Sequence, residues 1–325
     1  MMDRDTIFSI STPTQFQEVA LQVFRLQYEQ CKPYRQFCDL LGTRVGEISK
    51  VRDIPFLPIE FFKSHHVVSG EIPAQRTFLS SGTTGSTPSK HHVTDVSLYV
   101  DSFTRGFERF YGSPERYVFL ALLPSYLERE GSSLVYMVDH LIKASGNLES
   151  GFYLHNLKDL AMTLRRLEDR GQKTILIGVT YALLDLLEEN SFQLKNTLVM
   201  ETGGMKGKRK ELIRGELHEI LKTGFGISSI HSEYGMTELL SQAYSGGNGR
   251  FRCPPWMHVY TRDTEDALSW VHDTTGGLNI IDLANLHSCS FIATQDLGRV
   301  FPDGTFEVLG RFDSSDVRGC NLMVL

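Results

Sequence analysis

The sequence lacks the signatures of several common chemistries. Its five cysteines, Cys31, Cys38, Cys253, Cys289 and Cys320, include no C-x-x-C pair, and an odd number without paired spacing argues against both a zinc ribbon and a disulfide framework. No G-x-S-x-G turn occurs, which lowers a serine-hydrolase reading. No G-x-G-x-x-G follows a candidate strand, which disfavours a dinucleotide reductase. The excess of one charge is small, −6 from 39 acidic and 33 basic residues, and "KGKRK" (206 to 210) reads as a solvated helix start, so no nucleic-acid partner is expected. Long apolar runs are missing too, and the N-terminus "MMDRDTIFSISTPTQF" has neither signal-peptide nor anchor character. A reducing, cytoplasmic compartment without a membrane span is the expectation.

What is present is an ordinary globular composition, 41% hydrophobic and 22% charged over 325 residues, enough for one large core or two modest ones. "STPTQFQEVALQVFRLQYEQC" opens with Thr12 as N-cap, Pro13 at the first helical position and Gln15 closing a capping box, and Phe16, Val19, Ala20, Val23 and Phe24 recur at helical spacing. From about 117, short apolar runs ("YVFLALLPS", "KTILIGVT", "NTLVMETGG", "ISSIHSEYG") alternate with helical patterns ("SLVYMVDHLIKAS", "KDLAMTLRRLEDRG", "KGKRKELIRGELHEILKTG"), the arrangement of a parallel sheet covered by helices. After Arg250, "LSWVHD", "GLNIIDL", "SFIATQD" and "TFEVLGR" are short strands between turns. The expected division is a helical annex (1–78), an α/β body (79–250) and a β-rich C-terminal part (251–325), packed as one unit.

The loop "LSSGTTGSTPSKHH" (79 to 92) concentrates Gly82, Gly85, Ser80, Ser81, Thr83, Thr84 and Lys90. Glycines let backbone N–H groups converge, hydroxyls donate and a lysine adds charge, parts suited to a polyphosphate. Taken alone, such a loop is equally a flexible turn. No Gly-Lys-Ser/Thr follows its glycines, so it is not a Walker A sequence. The pairs His65-His66 and His91-His92 read as solvated or hydrogen-bonded histidines, because adjacent side chains diverge rather than share a metal.

Five segments in order, "SSGTTG" (80 to 85), "TGGMKG" (202 to 207), "EYGMTE" (233 to 238), "TQDLG" (294 to 298) and "GRFDSSDVRG" (310 to 319), resemble the adenylate-forming superfamily of acyl-CoA synthetases, peptide-synthetase adenylation domains and firefly-type luciferases. The stretch "IPFLPIEFFKSHHVVSG" before the loop, and the stop soon after "GRFDSSDVRGCNLMVL", narrow the likeness to LuxE acyl-protein synthetases, the synthetase subunits of luminescence fatty-acid reductases. The resemblance implies an α/β fold like the superfamily's N-terminal domain, with parallel sheets under helices, a smaller β-rich C-terminal part and no mobile lid domain.

It also implies chemistry. A carboxylic acid, a fatty one by the LuxE likeness, would be activated with ATP and Mg²⁺ to an acyl-adenylate and passed to a cysteine thiol, with an acyl-CoA or acyl-protein reductase as downstream partner. Ser80, Ser81, Gly82, Thr83, Thr84 and Gly85 would cradle the phosphates. The family lysine follows Gly-x-Pro, whereas "STPSK" follows Gly85, so Lys90 is displaced. Gly203, Gly204 and Met205 would border adenine. In "YGMTE", residues Tyr234, Gly235, Met236, Thr237 and Glu238 would stack on adenine, reach the α-phosphate and ligate Mg²⁺, the first role falling to Tyr234, the second to Thr237 and the third to Glu238. As a helix-start residue Glu238 would instead only complement the helix dipole. Asp296 would accept the ribose hydroxyls, with Arg311 near the ribose or α-phosphate, and Cys320 would carry the acyl group. "GVTYALLDLLEE" would line the acyl pocket or form a core helix. Direct transfer to coenzyme A and a non-catalytic nucleotide-binding role in a reductase are the two rival readings.

Overall fold

The computed structural model describes residues 2–80, 87–124, 131–154, 156–203 and 212–312. Two six-stranded sheets and a hairpin organise them. One sheet has the spatial order Gly151–Tyr153, Val118–Leu122, Thr174–Val179, Thr197–Thr202, His231–Tyr234, Ala243–Ser245, of which the first five run parallel and the last antiparallel. Val118–Leu122 and Thr174–Val179 are buried at every position, which is why they read as unbroken apolar runs rather than alternating ones. The expected helices are found at Ser133–Ser145, Leu157–Asp169 and Arg214–Phe225. Thr180–Glu188, the "TYALLDLLE" segment, buries Tyr181, Ala182, Leu183, Leu184 and Leu186 and is a core helix.

The second sheet runs Leu57–Pro58, Phe291–Val300, Gly276–Asp282, Met257–Arg262, Trp270–Val271, and Phe306–Arg311 also pairs with Phe291–Val300. Only the Leu57–Pro58 pairing is parallel in this sheet, so the fold combines a parallel sheet with a largely antiparallel one. The hairpin joins Arg76–Leu79 to Lys90–Val93, the first strand ending and the second beginning within the stretch 79–92 that the sequence singled out, of which residues 81–86 lie outside the described residues. Ser80 and Ser89 close its base, Ser80 N donating to the Ser89 carbonyl at 3.1 Å and Ser89 N to Ser80 Oγ at 2.8 Å.

The helix Pro13–Gln30 carries the expected capping box, with Gln15 N 3.2 Å from Thr12 Oγ1 and Thr12 N 3.2 Å from Gln15 Oε1. Its buried stripe includes one polar residue, Gln27. The Gln27 amide donates to the carbonyls of Asn285 (2.9 Å) and Leu286 (3.1 Å) and accepts from Ser290 N (2.9 Å), tying the N-terminal helix to the loop after Asp282. Around it, Phe24, Tyr34 and Phe56 surround Phe291, with ring centroids 6.0 to 6.2 Å away, at the head of the strand that later carries Asp296. Three buried thiols, Cys31, Cys38 and Cys289, lie in the same core as free cysteines. Among the described residues no helix is long and apolar enough to cross a membrane.

Replacing Gln27 with Leu keeps the volume but strands a buried N–H and two carbonyls. A loss on the order of 3 kcal/mol in urea-unfolding stability is expected, since each unsatisfied buried group costs about 1–3 kcal/mol. A change below about 0.5 kcal/mol, the size of an ordinary surface substitution, would show that this amide does not hold the helix to the sheet.

Candidate functional site

Ligands of open parallel sheets settle at the carboxyl ends of the strands. Here Thr197–Thr202 ends at Gly203 and His231–Tyr234 ends at the turn Gly235–Glu238, side by side in the sheet. Gly203 is exposed, and its carbonyl is held by the Thr180 hydroxyl at 2.9 Å. Thr237 and Glu238 lie in a turn and not at a helix start, so the helix-dipole alternative for Glu238 does not apply.

Tyr234 is buried between Phe251 and Phe306, and its hydroxyl donates to Asp296 Oδ2 at 2.7 Å. Asp296 comes from the other sheet, opposite Arg311 in the register of its strand, and Arg311 Nε lies 3.3 Å from Asp296 Oδ1. Three residues from three separate sequence segments thus meet. Burial raises the pKa of Asp296, while the Tyr234 hydroxyl and the Arg311 charge oppose the rise. The backbone there is set firmly: Asp296 N donates to Thr294 Oγ1 at 3.0 Å, and the buried Arg262 donates to the Thr294 carbonyl at 2.5 Å. The ladder shifts register at Leu297/Gly298, and a Cβ on Gly298 would stand 2.2 Å from the Glu307 carbonyl, so the last residue of "TQDLG" must be glycine for this close approach.

Glu238 is buried, and burial raises its pKa; the Ser89 hydroxyl from the hairpin opposes the rise, as does Arg311. Glu238 makes no ion pair among the described residues, so among them its buried carboxylate has no cation in direct contact, Arg311 acting only from farther off. A hard divalent ion suits that deficit. Lys90 is exposed on the hairpin strand, and Met236 and Thr237 are half-buried beside the exposed Gly235. Ser81, Gly82, Thr83, Thr84, Gly85, Gly204, Met205 and Cys320 lie outside the described residues.

Several side chains at this site were not singled out in the sequence. Asp282, at the end of its strand, accepts from Leu240 N (2.7 Å), Ser241 N (2.9 Å), Ser241 Oγ (2.5 Å) and Ala284 N (3.2 Å), fixing the chain just after Glu238. Glu201 pairs with Arg214 at 2.7 Å, with His218 Nε2 3.5 Å away, and so bridges the two ends of the segment between the strand and the helix. His91 and Asn285 bond the carbonyls of Thr237 and Glu238. A polar residue inside an apolar run, such as Asp282 in "NIIDLAN", is the signal that was available. The paired histidines form no metal cluster among the described residues. His91 is buried and hydrogen-bonded, while His92 faces His66 with ring centroids 4.3 Å apart.

Glu233 precedes Tyr234 and points into the core, where Thr202 Oγ1 donates to it at 2.5 Å. A Cβ at residue 235 would lie 2.6 Å from Glu233 Oε1, so Gly235 leaves room for this carboxyl. Burial pushes its pKa up to about 7 from the ordinary 4.5, opposed by Thr202 and reinforced by Glu201. Because the folded value is the higher one, this group supports the fold fully below about pH 4.5, and its contribution falls as pH rises through about 7. Glu233→Gln should therefore flatten the decline of Tm between about pH 5 and 8, removing a pH-dependent loss on the order of 3 kcal/mol. Parallel Tm–pH curves for parent and variant would contradict it.

Comparison with known proteins fits this geometry. Among solved structures, 2-hydroxyisobutyryl-CoA ligase in complex with 2-HIB-AMP and CoA in the thioesterification state superposes with a TM-score of 0.68 at 13% identity, covering 97% of this chain and 73% of the ligase. ATP-bound MatB from Rhodopseudomonas palustris superposes with a TM-score of 0.55 at 17% identity, covering 72% of this chain and 47% of that one. The chain thus spans about half the length of the MatB structures it matches. These likenesses establish the fold, that of adenylate-forming enzymes. No curated protein matches the chain in sequence. The family model described as "Acyl-protein synthetase, LuxE" matches residues 11–325, and the chain belongs to that family.

Proposed function

We propose that the protein activates a carboxylic acid with ATP and passes the acyl group to a cysteine thiol, as an acyl-protein synthetase. The observation that carries this reading is the meeting of Tyr234, Asp296 and Arg311 beside Glu238 and the phosphate-type hairpin, at the strand ends where the fold takes ligands. In the first step a carboxylate oxygen bonds to the α-phosphorus of ATP and the bond to the β-phosphate breaks, so pyrophosphate leaves with the electron pair and no proton moves. Positioning and charge dominate such a reaction. Asp296 suits the ribose hydroxyls, because a carboxylate accepts two donors at once, and the Thr237 hydroxyl and Arg311 suit the α-phosphate. Glu238 would hold Mg²⁺, which when bound neutralises phosphate charge. The residues of the loop 80–85 suit the outer phosphates, and the backbone around Gly203 suits the edge of adenine.

In the second step a thiolate attacks the acyl carbon, the carbon–oxygen bond to AMP breaks, and a thioester forms. Burial pushes the thiols of Cys31 and Cys38 up to about 11 and about 12 and raises those of Cys253 and Cys289 further, so none of these four is a ready nucleophile. This supports Cys320 as the acceptor. In sequence it follows Arg318 and Gly319, residue types that would favour a thiolate and leave the backbone free. A fatty acid as substrate, a reductase that consumes the thioester and a cytoplasmic setting complete the reading.

The parent should show acid-dependent exchange of pyrophosphate into ATP that requires Mg²⁺. Background exchange with every acid from aryl to long-chain would overturn the reading. Asp296→Ala should raise the ATP KM by about 10- to 100-fold, the loss of a charge-assisted contact of roughly 1.5–3 kcal/mol. An unchanged ATP KM would remove Asp296 from the nucleotide site. Cys320→Ser should keep exchange but lose hydroxylamine-sensitive acylation; acyl-CoA accumulating with no labelled parent would instead make coenzyme A the acceptor.

A further inference from the structure

The strand Lys90–Val93 and the residue before it grip the Thr237–Glu238 turn from below. Ser89 closes the base of the hairpin loop through Ser80, and its hydroxyl bonds the Glu238 carboxylate. Two residues on, and so on the same face of the strand, His91 is fully buried with Nδ1 2.8 Å from the Thr237 carbonyl oxygen. A carbonyl only accepts, so Nδ1 carries the proton. Burial pushes the His91 pKa down to about 4, which keeps the ring neutral near pH 7 and leaves Nε2 a bare acceptor. His91 borders a small cavity also lined by His92, Thr94, His287 and Asn285, and His91 Nε2, Thr94 Oγ1 and Asn285 Oδ1 lack hydrogen-bond partners among the described residues. Asn285 Nδ2 donates to the Glu238 carbonyl at 2.7 Å. Both carbonyls of the turn are therefore held by buried donors, and the peptide between them cannot rotate without breaking one.

We propose that His91 is a positioning residue whose bond to the Thr237 carbonyl locks the Thr237–Glu238 turn to the hairpin strand, so that Thr237 and Glu238 meet the phosphates of ATP in one fixed geometry. The inference rests on the adenylation reading above. It explains why a fully buried imidazole stands two residues from the hairpin base with one nitrogen committed to a carbonyl.

The test compares three variants in acid-dependent pyrophosphate exchange, with Tm recorded for each. His91→Leu removes the donor. His91→Asn returns an N–H at the Nδ1 position, and His91→Gln offers one only at the Nε2 position. Leu and Gln should lower the exchange kcat by about 10- to 100-fold, the usual effect of loosening a group behind the reacting residues, with the acid KM within about threefold of the parent. Asn should recover to within about fivefold of the parent. A parent-like kcat in Leu or Gln, or an Asn variant no better than Gln, overturns the inference while leaving the adenylation reading in place. Should Leu fail to fold, the Asn and Gln pair decides by the same criterion. A parent with no exchange removes the adenylation reading and this inference together.

Discussion

The two sheets are joined at a buried carboxylate. Asp282 ends a strand of the antiparallel sheet, yet most of its hydrogen bonds go to Leu240 and Ser241, just beyond the last parallel strand of the other sheet. The Ser241 hydroxyl reaches on to Ser102 in the helix Val96–Tyr111 (2.9 Å), and the Trp256 indole donates to both serines. Burial raises the Asp282 pKa to about 6, opposed by the Ser241 hydroxyl and three backbone N–H groups. Such an arrangement holds only when every lone pair finds a donor, because a half-satisfied buried carboxylate destabilises more than an apolar residue would.

Everything at the candidate site inherits its placement from this junction. Tyr234 and the turn that carries Glu238 come from one sheet, Asp296 and Arg311 from the other, and they meet where Asp282 joins the two. The same turn is held through its two carbonyls by His91 and Asn285. Phe291 and its aromatic neighbours pack the N-terminal helices against the strand that carries Asp296, which gives those helices a share in the site although they contribute no chemistry.

Much of the fold was legible because burial was uniform along its elements. Val118–Leu122 and Thr174–Val179 are buried on both faces, and the Thr12 capping box needs only local contacts to form. The hairpin strand "KHHV" was not legible as a strand, since its inward histidine looks solvated until Thr237 is placed beside it. Ala243–Ser245 is a three-residue edge strand, too short to show a period. For the site, the ordered segments pointed to Tyr234, Asp296, Arg311 and Glu238, which the fold gathers. Supporting residues such as Asp282, Asn285 and Glu233 act through hydrogen bonds 31 to 47 residues apart, and no local spacing announces them.

The central claim, an acyl group first joined to AMP and then held on the chain as a thioester, is most directly tested by intact mass. The protein is incubated with ATP, Mg²⁺ and a panel of carboxylic acids, then treated with neutral hydroxylamine. The expected result is a mass gain equal to the acid less water for at least one acid, dependent on ATP and erased by hydroxylamine. An unchanged mass with every acid, with no AMP or pyrophosphate released, would contradict it.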